Sequence, residues 1–267
     1  MKPITEQMTM NAIEKEMVAV LELLRREHGA TEVKAALEAE GISLYELLRT
    51  KEMAMAAGLG LSVKIGGCEA LTDARLAKGY GASILMAPMI ESPFALEKFL
   101  AMAEALFPGE EQADTKFFIN IETLEGRRQI DRILSVENVR LLSGIVLGRT
   151  DLRAALRAPD IDGPEMLEAA RGIFRPAKER PIRCIVGGGM TEKSVPFLQA
   201  LDGLIDGFET RKVVVGRYRK EPAAMAGAIR LALTFELLWC RWKEQTYLAL
   251  AREDAERMAK LEKMLNR

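Results

Sequence analysis

Two hydrophobic periods alternate along the chain. Met8, Ile13, Met17, Val20, Leu21 and Leu24 recur at the spacing of one helix face, which predicts an amphipathic helix over residues 5–28 with Gly29 as its stop. From residue 31 the pattern changes to short apolar runs, each ended by a glycine or an acid and followed by a helical stretch. The runs cover residues 32–37, 61–65, 83–87, 116–121, 144–147, 182–186 and 204–208. Val213-Val214-Val215 is either an eighth strand or a continuation of the seventh. Strands alternating with helices specify parallel βαβ units. Seven or eight such units favour a closed (β/α)8 TIM barrel, class α/β, over an open sheet. Residues 222–248 form a long helical pattern containing Trp239 and Trp242, and residues 253–265 a charged helix. The expectation is a single domain, 1–267. It comprises the N-terminal helix, a barrel over about 31–220, and C-terminal helices over about 222–266.

Composition narrows the class. With 267 residues, 49% of them hydrophobic, the chain can bury one large core. A net charge of −1 without a basic tract argues against nucleic acid or a membrane surface as partner. No apolar run approaches the length of a membrane span, and the N-terminal residues have no apolar signal core. Cys68, Cys184 and Cys240, an odd number lying far apart, argue against a disulfide framework or zinc cluster and fit a reduced, cytoplasmic setting. The one histidine, His28, falls near a helix end and is read as structural, so imidazole-based catalysis is disfavoured.

The candidate chemistry lies at strand ends. Glu122 follows the run 116–121 and Asp151 follows the run 144–147. In a β/α barrel both fall on the rim where catalysis occurs. Two carboxylates there suit a hard divalent cation such as Mg²⁺, which can hold a 2-oxo acid and stabilise its enolate. The alternative is salt bridges with Arg127, Arg128 or Arg149. Lys64 ends the second strand, and Gly66 and Gly67 let the backbone approach an anion at the next helix start, or simply make a tight turn. The run Gly187-Gly188-Gly189 has the same layout and the same two readings. Glu91, after the third strand, could ligate metal, act as a base, or anchor its neighbours on the substrate side; the last is preferred. Glu38 and Glu40 end the first strand on one face by alternation, an arrangement that suits acid–base work. Their other reading is pairing with Arg211 and Lys212 across the mouth. Those two cations could equally bind a substrate carboxylate or phosphate.

Four segments together resemble the HpcH/HpaI aldolase and citrate lyase β-subunit family. They are Val63-Lys64-Ile65-Gly66-Gly67, Ala87-Pro88-Met89-Ile90-Glu91-Ser92, Ile121-Glu122-Thr123 and Leu147-Gly148-Arg149-Thr150-Asp151-Leu152. The resemblance implies a β/α barrel that makes or breaks a carbon–carbon bond beside a 2-oxo acid, or beside an acyl-CoA thioester in the lyase branch. It implies Mg²⁺, or Mn²⁺ or Co²⁺, on Glu122 and Asp151. It also implies a homo-oligomer, trimer or hexamer, with Leu231, Phe235, Leu238 and Trp239 available to exchanged C-terminal helices. Where the family keeps an active-site histidine or aspartate this chain has Gly41, and Lys64 stands where the aldolases keep an arginine. Base duty is then expected of Glu38, Glu40 or a water on the metal, with Lys64 and Arg149 completing the catalytic set. Gly66, Gly67, Glu91 and Arg211 are expected at the substrate. The substrates so implied are a pyruvate-like 2-oxo acid, with an aldehyde or acyl-CoA as partner. Three rival readings are a Schiff base on Lys64, a citrate-lyase-type acyl-CoA lyase or condensing enzyme, and a non-catalytic acid-binding barrel subunit.

Overall fold

Asn11 accepts the backbone N–H of Glu14 while the Glu14 carboxylate accepts that of Asn11, a capping box that starts helix α1 at Ala12–His28. Gly29, at φ 73°, ends the helix where the sequence places its stop. The structure is a computed structural model and describes residues 10–265, so Met8 and residues 5–9 of the expected helix lie outside the described residues. The chain continues through β1 (Glu32–Ala36), α2 (Leu37–Glu40), α3 (Leu44–Ala56), β2 (Gly60–Lys64), α4 (Leu71–Gly79), β3 (Ile84–Ala87), α5 (Pro93–Leu106), α6 (Glu111–Asp114) and β4 (Lys116–Ile121). The second half comprises α7 (Leu124–Arg128), α8 (Ile130–Ile133), β5 (Leu142–Gly148), α9 (Arg149–Leu156), α10 (Pro164–Lys178), β6 (Arg183–Gly187), α11 (Val195–Gln199), β7 (Gly207–Glu209), β8 (Val213–Val215) and α12 (Pro222–Leu265).

The eight strands close into a barrel in chain order. Strands β1 to β7 pair in parallel. Val213–Val215 is a separate eighth strand, but it runs antiparallel to both β7 and β1. The cause is the connection. Thr210-Arg211-Lys212 is too short for a crossover and can only make a hairpin. That hairpin turns at the C-terminal mouth and leaves Arg211 at its tip. Inside the barrel, Ile84, Met86, Phe118, Val146 and Ile185 form a small apolar plug, separate from the larger core between strands and helices. Gly144 makes room for the plug, since a Cβ there would lie 2.4 Å from the Phe118 ring.

The C-terminal segment is one continuous helix, Pro222–Leu265, rather than two. Met225, Ile229, Ala232, Phe235, Trp239 and Trp242 recur on one face and are buried. Trp242 Nε1 donates to Glu14 Oε1 at 3.0 Å, which ties α12 to α1. His28 Nδ1 lies 3.1 Å from the carbonyl of Ala224, the structural role expected of it. Among the described residues, Pro222–Glu262 is long and apolar enough to cross a membrane by length and composition. Arg230 and Glu236 interrupt its apolar runs without interrupting the helix, and Met225, Ile229, Phe235 and Trp239 are buried within the fold. Beyond Tyr247 the helix carries exposed Leu248, Leu250, Met258, Leu261 and Met264.

Candidate active site

The strand ends enclose a cavity of about 270 Å³ at the C-terminal mouth. Carboxylates of Glu40, Glu122, Asp151 and Glu209 line it, and Lys34, Lys64 and Arg211 supply positive charge. Glu122, at the end of β4, is buried and fully partnered. Its Oε1 accepts from Lys64 Nζ at 3.4 Å and from the Met89 backbone N–H at 3.1 Å. Its Oε2 accepts from Asn120 Nδ2 at 3.1 Å. Asn120 faces the same way because it lies two residues earlier on the strand. Met89 delivers its N–H from a left-handed backbone, φ 53°, a strain of about 1 kcal/mol or more for a residue with a Cβ. Gly148 ends β5 beside Glu122, and a Cβ there would sit 2.4 Å from Glu122 Oε2. Asp151, in the first turn of α9, lines the same cavity from the exposed side. The structure therefore brings Glu122, Asp151 and Lys64 together. Glu122 pairs with Lys64 rather than with the arginines named as its alternative partners.

These residues fit a hard divalent ion. All donors are oxygens, and Asn120 Oδ1 is buried without a hydrogen-bond partner among the described residues. Mg²⁺ commonly takes one or two carboxylates and leaves its other positions to water and substrate. Among the described residues no group of three or more His, Cys, Asp or Glu side chains gathers into a protein-only cage.

Several expected site residues sit elsewhere. The first strand stops at Ala36 and the chain turns through α2, so alternation does not govern Glu38 and Glu40. Glu38 is exposed and packs over Gly66, where an added Cβ would lie 2.5 Å from its Cγ. The Gly66 N–H donates to Asp73 Oδ2 at 2.7 Å. Gly66 is thus occupied by protein groups, and neither it nor Gly67 lines the cavity. Helix α4 starts only at Leu71, too late to present its first turn to a ligand at Gly67. Glu40 does line the cavity, but it is paired with Lys212, whose ammonium lies 5.0 Å from the Trp239 ring centre. The rim-pairing reading holds for that residue. Glu91 is exposed and outside the cavity; the anchoring expected of it comes from the Met89 N–H two residues earlier. Arg211 lines the mouth from the hairpin tip and remains largely exposed.

Arg149 is completely buried and does not line the cavity. Its Nε donates to the Gly187 carbonyl at 3.2 Å and a terminal nitrogen to the Gly188 carbonyl at 2.8 Å. It forms an ion pair with Asp162 and stacks 4.9 Å from the Phe197 ring centre. Burial pulls its pKa below the ordinary guanidinium value, and Asp162 opposes that shift. Arg149 therefore positions the glycine loop rather than touching a substrate. The loop needs its glycines for backbone reasons: Gly188 and Gly189 have φ of 80° and 57°, and a Cβ on Gly188 would lie 2.7 Å from Thr150 N.

Two site residues escaped the sequence reading. Lys34, inward-facing on β1, forms a buried ion pair with Glu209 at the end of β7, and both line the cavity. Alternation in Glu32-Val33-Lys34-Ala35-Ala36 was the available signal for Lys34. Glu209 directly follows the seventh apolar run, which ends at Phe208, so the rim signal that marks Glu122 was available for it too.

A closed barrel whose C-terminal mouth gathers acids and lysines has the layout of a barrel enzyme. A family model described as HpcH/HpaI aldolase/citrate lyase matches residues 27–188, and the chain belongs to that family. The matched region includes Lys64, Glu122 and Asp151 and ends before Glu209. Among solved structures, an HpcH/HpaI aldolase/citrate lyase family protein from Burkholderia cenocepacia J2315 is 15% identical, with a TM-score of 0.59 over 91% of this chain and 100% of that one. An HpcH/HpaI aldolase from Desulfitobacterium hafniense DCB-2 is 13% identical, TM-score 0.59, over 75% of this chain and 83% of that one. A citrate lyase from Burkholderia xenovorans LB400 is 13% identical, TM-score 0.57, over 87% and 80% respectively. At these identities the likeness establishes the fold. A search of curated proteins found no significant match.

Proposed function

We propose that the protein is a divalent-metal-dependent carbon–carbon lyase of the aldolase type, acting on a pyruvate-like 2-oxo acid through an enolate. One observation carries the reading: Glu122 and Asp151 line a single cavity, with the Lys64 ammonium 3.4 Å from Glu122. Mg²⁺, Mn²⁺ or Co²⁺ held by those two carboxylates would supply Lewis-acid polarisation of the substrate's ketone and carboxylate oxygens.

The chain's own residues account for the remaining work. Lys64 balances Glu122 in the resting site and is placed to meet negative charge that develops on the substrate. It offers a point charge, not a fork, so orientation must come from elsewhere. The Met89 N–H and the Asn120 amide hold Glu122 in one geometry. Arg149 fixes the loop Gly187-Gly188-Gly189, which forms one wall. Arg211 offers a cation to the outer end of the substrate. A cavity of about 270 Å³ is at the small end of ligand pockets and supports a small acid over an acyl-CoA, most of which would remain outside.

The test is cleavage of a panel of 4-hydroxy-2-oxo acids with Mg²⁺ or Mn²⁺, with chelator, and in an Asp151→Ala variant. The reading requires turnover that chelator and the variant both abolish. Borohydride trapping of substrate on Lys64, indifferent to chelator, would replace it with an imine mechanism.

A further inference from the structure

We propose that Glu209, held by Lys34, is the proton-transfer group of this site and acts on the hydroxyl of a 4-hydroxy-2-oxo acid; this rests on the enolate reading above. The cavity's four carboxylates are not equivalent. Both oxygens of Glu122 accept hydrogen bonds, Glu40 is bound by Lys212, and Asp151 faces solvent. Glu209 differs from all three. It is buried, it lines the cavity, and its Oε1 is paired with Lys34. Its Oε2 is buried with no hydrogen-bond partner among the described residues.

A buried carboxylate oxygen without a donor is a strong acceptor waiting for one. Oε2 itself has almost no accessible surface, so a ligand hydroxyl in the adjoining cavity supplies that donor when the carboxylate turns about its terminal torsion. The second wall is cut to fit, because a Cβ on Gly187 would lie 3.1 Å from Glu209 Cγ and Oε1. Asn120 Oδ1, the other orphaned oxygen of the cavity lining, cannot take up a proton.

In the cleavage direction the hydroxyl O–H bond breaks and its proton passes to Glu209 Oε2. The carbinol carbon becomes an aldehyde carbonyl as the adjacent C–C bond breaks, and that electron pair becomes the enolate of the 2-oxo acid. The proton on Glu209 then passes to the enolate carbon, which restores the carboxylate and releases the 2-oxo acid. No other reactant is consumed. Lys34, paired with Glu209 Oε1, holds that carboxylate in place and sets a positive charge beside the reacting atoms. The role sits on β7 and so does not require the residue that Gly41 replaces.

The experiment compares wild type, Glu209→Gln and Glu209→Ala on the 4-hydroxy-2-oxo acid panel with Mg²⁺, with circular dichroism and thermal melts as folding controls. Glu209→Gln keeps the shape and the hydrogen bond to Lys34. Its kcat is expected to fall by about 10²–10⁴-fold with KM changed less than about threefold. In Glu209→Ala, added formate should restore kcat with saturation, since it can enter the vacated space as a carboxylate. A folded Glu209→Gln variant with wild-type kcat overturns the proposal alone. So does a loss confined to KM, or a folded Glu209→Ala variant that formate does not rescue. An inactive wild type overturns the enolate reading, and this proposal with it.

Discussion

Replacing Arg149 with methionine removes the guanidinium that holds the glycine loop against the end of β5. The side chain is completely buried. The substitution deletes its bonds to the carbonyls of Gly187 and Gly188, its contact with Ser194 and its ion pair with Asp162. Breaking a buried pair by removing one partner costs about 3–5 kcal/mol. Asp162 retains 18% side-chain exposure and a hydrogen bond from Ser194, so it can recover some solvation. The expected loss is therefore near the lower end, about 3 kcal/mol. For a chain of this size that corresponds to a fall in Tm of about 6–12 °C. Urea unfolding of Arg149→Met against wild type measures it, with Arg149→Lys as the charge-preserving control. Lysine cannot bond both carbonyls and Asp162 from one fork, so it should recover less than half of the loss. A change below about 1 kcal/mol, the cost of a modest surface substitution, would refute the argument that this network fixes the site wall.

Three further outcomes are expected. Gly148→Ala drives a methyl group to within 2.4 Å of Glu122 Oε2 and should cost about 1–3 kcal/mol. It should also weaken Mn²⁺ affinity by on the order of tenfold in calorimetry, and undiminished affinity would separate Glu122 from the metal. Glu32 lies at the opposite end of β1, and burial raises its pKa above 4.5, with Thr31 and Arg183 opposing. A raised folded pKa means stability is lost as pH rises through it, so Glu32→Gln should match wild type below about pH 4.5 and exceed it at neutral pH; parallel stability–pH curves would contradict this. Finally, Phe235, Leu238 and Trp239, expected at an exchanged-helix contact, are instead buried within the chain, and we propose that the exposed Leu250, Met258, Leu261 and Met264 of α12 are covered by other copies in a trimer or hexamer. Light scattering of a chain truncated after Leu248 should give a smaller assembly with an intact barrel, and an unchanged mass would exclude the tail as the contact.

The barrel was legible because its strands are short apolar runs buried on both sides, each punctuated by a glycine or an acid. Glu122 and Asp151 could be read as rim residues for the same reason: a residue following such a run has few other places to go. The failures share a cause, which is that periodicity describes an element only while that element lasts. Glu38 and Glu40 were assigned one face by extending strand alternation past Ala36, where the chain had already turned. Val213-Val214-Val215 was legible as a possible eighth strand, and only its antiparallel direction was missed, although a connection as short as Thr210-Arg211-Lys212 permits only a hairpin. Arg149 stands next to a strand end yet points beneath the site, because Asp162 and the carbonyls of a distant loop determine its direction. Glu209 carries the same rim signal as Glu122, but what distinguishes it, a buried pair with Lys34, 175 residues away, and an oxygen without a hydrogen-bond partner, is visible only in the structure.

The most direct test of the central claim is exchange of pyruvate methyl protons in D₂O, followed by NMR with and without Mg²⁺ or Mn²⁺. The account predicts metal-dependent exchange in the wild type that disappears in Asp151→Ala. Exchange that proceeds equally without metal, or that survives in Asp151→Ala, would contradict it.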